Sequence, residues 1–150
     1  MRDIRRPDDT EPVVELLVTP RRGEDGEPLF QTIMELLIFS AGVGFSLKER
    51  SPVPASSKVI PYIVFERNQK DGYIHLLALA DAKTPESLAS KESDHAVQTF
   101  EEYAAGGLRI MQRWLNENPT DTFGIDTLMS KISQELSRNP TPPDKKPDPV

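Results

Sequence analysis

The chain has 150 residues, no cysteine, and a net charge of -6 at pH 7 from 18 basic and 24 acidic side chains. Its length suits one hydrophobic core, and the lack of cysteine excludes disulfides, thiolate metal sites and cysteine nucleophiles. Because acidic side chains outnumber basic ones, the surface as a whole does not attract nucleic acid. The sequence has neither a signal-peptide pattern nor an apolar run of about 18 residues, which predicts a cytoplasmic protein.

The first helix is predicted directly after the capping residues Asp8 to Thr10. Apolar positions recur in the segment 11–18, and its proline stands where the first turn of a helix tolerates one. We expect this helix to end before Pro20. The following segment 21–28 is charged and contains two glycines, which is typical of an exposed loop.

The second helix has the clearest start in the sequence. Thr32 is followed three residues later by Glu35, and this spacing matches a capping box in which two side chains satisfy free backbone donors. The residues that follow are apolar almost without interruption, which is typical of a central helix. Because glycine favours the C-terminal end of helices, we expect this helix to stop near Gly42 or Gly44.

The middle of the chain contains a loop and three further predicted helices. Prolines and serines in the segment 48–57 predict the loop. The run from 60 to 66 has the β-branched and aromatic residues of a strand, but its proline suits the start of a helix, and we favour a helix. The segment 73–80 predicts a buried helix, and Thr84 followed by Pro85 predicts a short one through about residue 89.

The longest helix is predicted from about Ser93 to Asn118, since its apolar residues recur at steps of three and four. A final helix follows a cap at Asp121 or Thr122. Residues 139–150 are rich in proline and predict a disordered tail, which is either a docking peptide or a solvated end. The sequence therefore predicts a mainly α fold: a compact bundle of about five to six helices over residues 1–138, with a disordered proline-rich C-terminal tail.

Motifs that carry chemistry are absent from the sequence. It has no phosphate-binding loop, serine-nucleophile elbow or zinc-protease pair of histidines. His75 lies in an apolar stretch, and His95 follows Glu92 and Asp94, where it could act as a base or metal ligand, although the helix dipole explains acids at a helix start equally well. We assign no catalytic, cofactor or metal residue, and the sequence favours a protein that is not an enzyme.

Two adjacent glycines in the longest helix require an explanation. Each of Gly106 and Gly107 costs about 1 kcal/mol relative to alanine inside a helix. One explanation is close packing of this helix on the central one. The other is a partner contact made by Tyr103, Gly106 and Gly107, where the backbone of another protein approaches closely.

Basic residues are concentrated in the first 60 positions. If the fold brings them together, they form a patch able to touch phosphates, whereas their acidic neighbours favour a solvated surface without that role. The possible nucleic-acid contacts are Arg2, Arg5, Arg6, Arg21, Arg22, Lys48, Arg50 and Lys58.

Four segments carry a resemblance to a known family: Arg5-Arg6-Pro7, 30–45 (FQTIMELLIFSAGVGF), 74–81 (IHLLALAD) and 100–108 (FEEYAAGGL). Over about residues 4 to 136 the chain resembles the DNA phosphorothioation-associated protein 4 family, also called dnd system-associated protein 4. The resemblance implies a protein that accompanies a bacterial antiviral defence or restriction-modification system, in which sulfur replaces a backbone phosphate oxygen of DNA. It implies no catalytic residue.

Three functional hypotheses follow. The first is a non-catalytic accessory or adaptor protein that binds other proteins of a DNA modification or defence system. The second is a small DNA-binding regulator that uses the basic residues, whose binding would weaken steeply with salt. The third is a hydrolase or nuclease built around His95 and its acidic neighbours, and the sequence supports it least.

Overall fold

The structure, a computed structural model, describes residues 2–18, 28–82 and 93–138. In these ranges it contains six α-helices and one two-stranded sheet, which confirms the mainly α fold with five to six helices. The predicted tail 139–150, the helix near residue 85, most of the loop 21–28, and Arg21 and Arg22 lie outside the described residues. The elements are β1 (Ile4–Arg6), α1 (Glu11–Val18), α2 (Ile33–Ser46), β2 (Lys58–Ile60), α3 (Tyr62–Arg67), α4 (Asp71–Ala82), α5 (Ser93–Asn116) and α6 (Ile125–Arg138).

Helix α5 is the axis around which the other elements pack. Its predicted apolar face is buried, and Val97, Phe100, Leu108 and Met111 are at most 1% exposed. Helix α2 packs along it more extensively than any other pair of elements, while α4, α6 and β1 contact α5 at other positions along its length. Among the described elements, α5 contributes the most buried apolar side chains to the core.

The start of α2 agrees with the sequence prediction. The Thr32 hydroxyl accepts a hydrogen bond from the Glu35 backbone N at 3.1 Å, and the Glu35 carboxylate accepts one from the Gln31 backbone N at 3.2 Å. One free backbone donor of the first turn is therefore satisfied, together with that of the residue before the cap.

The end predicted for α2 is wrong. The helix passes through both glycines to Ser46, and the chain turns only afterwards, where Lys48 adopts a positive φ of 58°. The turn is held by hydrogen bonds from the Leu47 backbone N to Val43 O and from the Glu49 backbone N to Gly44 O. Gly44 is therefore not a helix stop, and its small size serves contacts between helices.

The small sheet was not predicted. Ile4 pairs with Ile60 and Arg6 with Lys58 in an antiparallel register, and the Ile4 side chain is fully buried. The helix favoured for the run 60–66 is confirmed as α3 from Tyr62, but Ile60 belongs to β2, and Pro61 is the N-cap of α3. The strands have only three residues each and are far apart in sequence, so neither shows a recognisable alternation.

Within the described ranges, none of the helices combines the length and apolar character needed to cross a membrane. The longest, α5, is polar along the side that does not face the core.

Candidate interaction surface

The double glycine of α5 lies where the helix meets two other backbone segments. A Cβ atom added to Gly107 would overlap the carbonyl oxygen of Ser40 in α2, and one added to Gly106 would overlap that of Glu49. Gly44 of α2 makes the corresponding contact from the other helix, since a Cβ atom added there would overlap the carbonyl oxygen of Tyr103 in α5. The three glycines thus let α2, α5 and the segment after α2 approach to backbone contact.

Glu101 connects α5 to the N-terminal strand. Its carboxylate is 2% exposed and accepts hydrogen bonds from Arg2 Nη1 at 3.1 Å, Arg2 Nη2 at 2.9 Å and the Arg5 backbone N at 2.9 Å. The hydrogen bond to Glu101 raises the pKa of Arg2. A buried carboxylate with three donors is well satisfied, so this contact is a structural clamp.

Glu102 and Tyr103 belong to a second polar cluster, which joins α4 to α5. Arg50 Nε donates to Glu102 at 2.8 Å, Arg50 Nη1 donates to Asp81 at 3.2 Å, and the Tyr103 hydroxyl donates to Asp81 at 2.6 Å. The Arg50 guanidinium also lies 5.2 Å from the centre of the Tyr103 ring. The hydrogen bond to Asp81 raises the pKa of Tyr103, so its hydroxyl stays protonated at neutral pH.

The proposed contact residues Tyr103, Gly106 and Gly107 are therefore internal. Tyr103 is 9% exposed, and both glycines are buried against backbone. The geometry supports the packing explanation for the glycine pair, and a partner contact at these three residues stays a prediction without a structural observation in its favour.

Of the eight basic residues chosen as possible nucleic-acid contacts, the six that the structure describes do not form one open patch. Arg6 and Lys58 both form ion pairs with Glu11, at 2.6 and 3.2 Å. The hydrogen bond from Arg6, and to a smaller extent that from Lys58, lowers the pKa of Glu11. Arg2 and Arg50 are paired with acids of α5 and α4 as described. Arg5 is half-buried and Lys48 is exposed. Nucleic-acid contact by this set stays a prediction, and a phosphate would have to replace a carboxylate at four of its members.

The two histidines do not converge on a site. His75 Nε2 lies 2.9 Å from the Tyr62 hydroxyl, and burial, followed by the charge of Asp71, raises the pKa of Tyr62 to about 12. His95 is exposed in the first turn of α5. Among the described residues no group of three or more acids and histidines is arranged to hold a metal ion.

The side of α2 that faces away from α5 borders two apolar grooves. One lies between α2 and α6, has Trp114 of α5 among its lining residues, and encloses about 550 Å³. The other lies between α2 and α4, includes Phe100 in its lining, and encloses about 230 Å³. We call this region the apolar surface; its principal residues are Ile38, Gly42, Tyr73, Leu76, Trp114 and Leu136.

The apolar surface is continuous and open to water. Ile38 and Gly42 line both grooves, and large side chains on the flanking helices are exposed: Leu136 by 70%, Leu76 by 62% and Tyr73 by 49%. Scattered exposed leucines are normal on proteins, whereas contiguous apolar patches are often functional, so this surface is the candidate interaction site. Sequence reasoning missed it because an apolar helix was taken to be covered on every side.

Comparisons with known proteins give one match. A family model described as DNA sulphur modification system-associated protein 4 matches residues 3–145. The matched span begins just before β1 and continues past the end of α6. No curated protein and no solved structure matches the chain.

Proposed function

The chain belongs to the DNA sulphur modification system-associated protein 4 family, and from this membership we propose that it is a non-catalytic accessory protein that acts by binding other proteins of such a system. The family match carries the proposal because it extends over nearly the whole chain. We further propose that residues 1–138 act as one domain, in the cytoplasm, as part of antiviral restriction directed at DNA that lacks the sulphur mark.

The use of the polar side chains supports a role in binding. Catalysis requires acids, bases or nucleophiles that point together into a cleft where a substrate fits. Here Glu101 is paired with Arg2, and Arg50 is paired with Glu102 and Asp81, so these charged side chains join elements of the fold. The grooves of the apolar surface are lined almost entirely by apolar side chains, which suits contact with protein.

The pairing of the basic residues also favours protein contacts over DNA. Affinity for DNA comes largely from cations that replace counterions on the phosphates. Arg2, Arg6, Arg50 and Lys58 already neutralise carboxylates, and the chain as a whole carries a charge of -6. DNA binding would therefore cost existing ion pairs.

Pairwise co-purification tests the proposal. The tagged full chain is co-expressed with each protein encoded by its own DNA sulphur modification system, one at a time, and we expect at least one to co-purify at a fixed ratio in 0.5 M salt, a concentration chosen to screen surface charges to within about 3–5 Å. A tagged acidic protein of similar size serves as the control. Failure of every component to co-purify, in pairs and with the whole set together, would contradict an accessory role through stable contacts.

A further inference from the structure

We propose that the segment 51–54 (Ser-Pro-Val-Pro), which we call the proline segment, docks into an aromatic groove of a partner protein. In such a groove, tryptophan and tyrosine rings pack on prolines, and their N–H and O–H groups donate hydrogen bonds to backbone carbonyls. This docking site rests on the proposed function, since it describes one contact of an accessory protein with a component of its system. It adds a contact to those made by the apolar surface.

The backbone of the proline segment is restricted by its own sequence. Residues 49–54 belong to neither a helix nor a strand. The ring of proline holds φ at about -65°, which applies to Pro52 and Pro54. The residue before a proline is confined to extended conformations, which applies to Ser51 and Val53. All four residues therefore favour the polyproline II conformation, the form that aromatic grooves recognise.

The two prolines are accessible to a partner. Pro52 and Pro54 are exposed, and Val53 between them is half-buried. The next two residues, 55 and 56, are exposed as well. A proline loses almost no side-chain entropy when it is covered, because its ring has no freely rotating bonds. The segment thus presents two rigid apolar rings that can be buried at low entropic cost.

Both ends of the proline segment are held by the fold. The Ser51 backbone N donates to Glu102 O at 3.0 Å, and the Ser51 hydroxyl accepts from Arg109 Nε at 2.9 Å. At the other end, the Ser57 backbone N donates to Pro54 O at 3.1 Å, directly before β2 begins. A segment that is ordered before its partner arrives pays less for binding than a flexible one.

The hydrogen-bonding groups of the proline segment select the kind of partner. Proline has no N–H, so Pro52 and Pro54 offer only carbonyl oxygens. Among the described residues, none donates a hydrogen bond to the carbonyl oxygen of Pro52 or Val53. A partner strand does not suit this segment, because strand pairing needs donors as well as acceptors. A phosphate does not suit it either, since it brings only further acceptors. Side-chain donors on aromatic rings match what the segment offers.

Isothermal titration calorimetry with the component that co-purifies with the full chain tests the docking site. We expect the double variant Pro52→Ala and Pro54→Ala to raise the dissociation constant at least about tenfold, because alanine has neither the ring nor the fixed φ. The matched control is the double variant Pro12→Ala and Pro61→Ala. Both of these prolines are exposed, but they lie in α1 and directly before α3, so their substitution should leave the dissociation constant unchanged.

The outcomes separate the docking site from the proposed function. If a component binds the unmodified chain and the variant of Pro52 and Pro54 equally well, the docking site is wrong while the proposed function stands. An equal loss of affinity in the control variant would also overturn the docking site. If no component binds the unmodified chain, the proposed function fails and the docking site fails with it.

Photo-cross-linking locates the contact and remains informative if the alanine variant fails to fold. The chain has no native cysteine, so Ser56→Cys gives a single thiol beside the proline segment, which is labelled with a benzophenone. Met129→Cys is the control, since Met129 is 63% exposed on α6 and lies outside both grooves of the apolar surface. We expect an adduct with the component from position 56 and none from position 129. No adduct from position 56, with binding intact, would overturn the proposal.

Discussion

The two sides of α2 differ in what their small residues meet. On the side toward α5, Gly44 lies against the Tyr103 carbonyl and Ser40 lies against Gly107, with no room for a methyl group. On the opposite side, no described atom lies within 4 Å of a Cβ added to Gly42, which lines the groove between α2 and α4. Two glycines two residues apart in one helix thus have different roles. Which role each has depends on the neighbouring element and not on the local sequence.

Substitution of the glycines should give the largest contrast between the two sides. Gly107→Ala places a methyl group on the Ser40 carbonyl, so α2 and α5 must separate, and we expect a loss of about 3 kcal/mol in the free energy of unfolding. Gly42→Ala meets no atom and should stabilise the monomer by about 0.5–1 kcal/mol through helix propensity. Urea denaturation at low protein concentration measures both, and equal effects would show that the two sides do not differ in packing.

Removal of the charge on Glu101 tests the clamp that holds β1 on the closed side. We expect Glu101→Gln to lower the free energy of unfolding by about 2 kcal/mol, because hydrogen bonds to a buried charged group are worth more than neutral ones. Glu102→Gln is the matched variant, because its carboxylate is more exposed and accepts hydrogen bonds from one cation, Arg50, and one neutral donor, Gln98. A loss of about 1 kcal/mol is expected. A larger loss for Glu102→Gln would contradict the assignment of Glu101 as the main clamp.

The start of α6, on the open side, should be sensitive to pH. The Asp121 carboxylate accepts a hydrogen bond from the Thr127 backbone N at 2.7 Å, and its hydrogen bonds with Thr127 lower the pKa of Asp121. Because the folded-state pKa is depressed, the stabilisation is complete above the unfolded pKa near 3.8 and is lost as pH falls through the folded value.

The Asp121→Ala variant isolates this contribution. We expect it to be about 1 kcal/mol less stable than the unmodified chain at pH 7, and the difference should shrink as pH falls below about 4. Thermal unfolding of both proteins over this pH range measures it. A difference that stays constant down to the lowest pH would show that the carboxylate charge is not involved.

The smallest effect is expected for an exposed residue of the apolar surface. Leu76→Ser should change the free energy of unfolding of the monomer by no more than about 0.5 kcal/mol, as is usual for exposed positions. Leu37→Ala, on the core side of α2, should lower the free energy of unfolding by about 3 kcal/mol, because Leu37 is fully buried. A large loss for Leu76→Ser in dilute solution would show that Leu76 is needed by the fold of one chain.

The sequence predicts the helices that have strong local signals. The capping box at Thr32 and the periodic apolar face of α5 lead to the observed elements, since hydrogen bonds and apolar spacing within one segment determine them. The end of α2 and the strand Ile4–Arg6 were missed. The glycine at position 44 is required by its contact with α5, and Ile4 forms a strand because it pairs with Ile60. Both contacts join residues that are far apart in the sequence.

The apolar surface was not predicted from the sequence. The segment 100–108 is one of the four that carry the family resemblance, and Glu101, Glu102 and Tyr103 within it make specific contacts, but with other residues of the same chain. The open side of α2 was not predicted, because an apolar helix has the same sequence pattern whether its last neighbour belongs to the same chain or to another one.

Complementation in a strain that lacks the gene for this protein tests the central claim most directly, namely that the protein acts through the apolar surface and not through a reactive group. The readout is the phosphorothioate content of the DNA or the exclusion of unmodified plasmid, whichever the deletion abolishes. We predict that the doubly substituted variant His75→Ala and His95→Ala and the control Met129→Lys restore it, and that Leu76→Lys, folded and present at normal levels, does not. Full restoration by Leu76→Lys, together with failure of a folded histidine-free variant, would contradict the account.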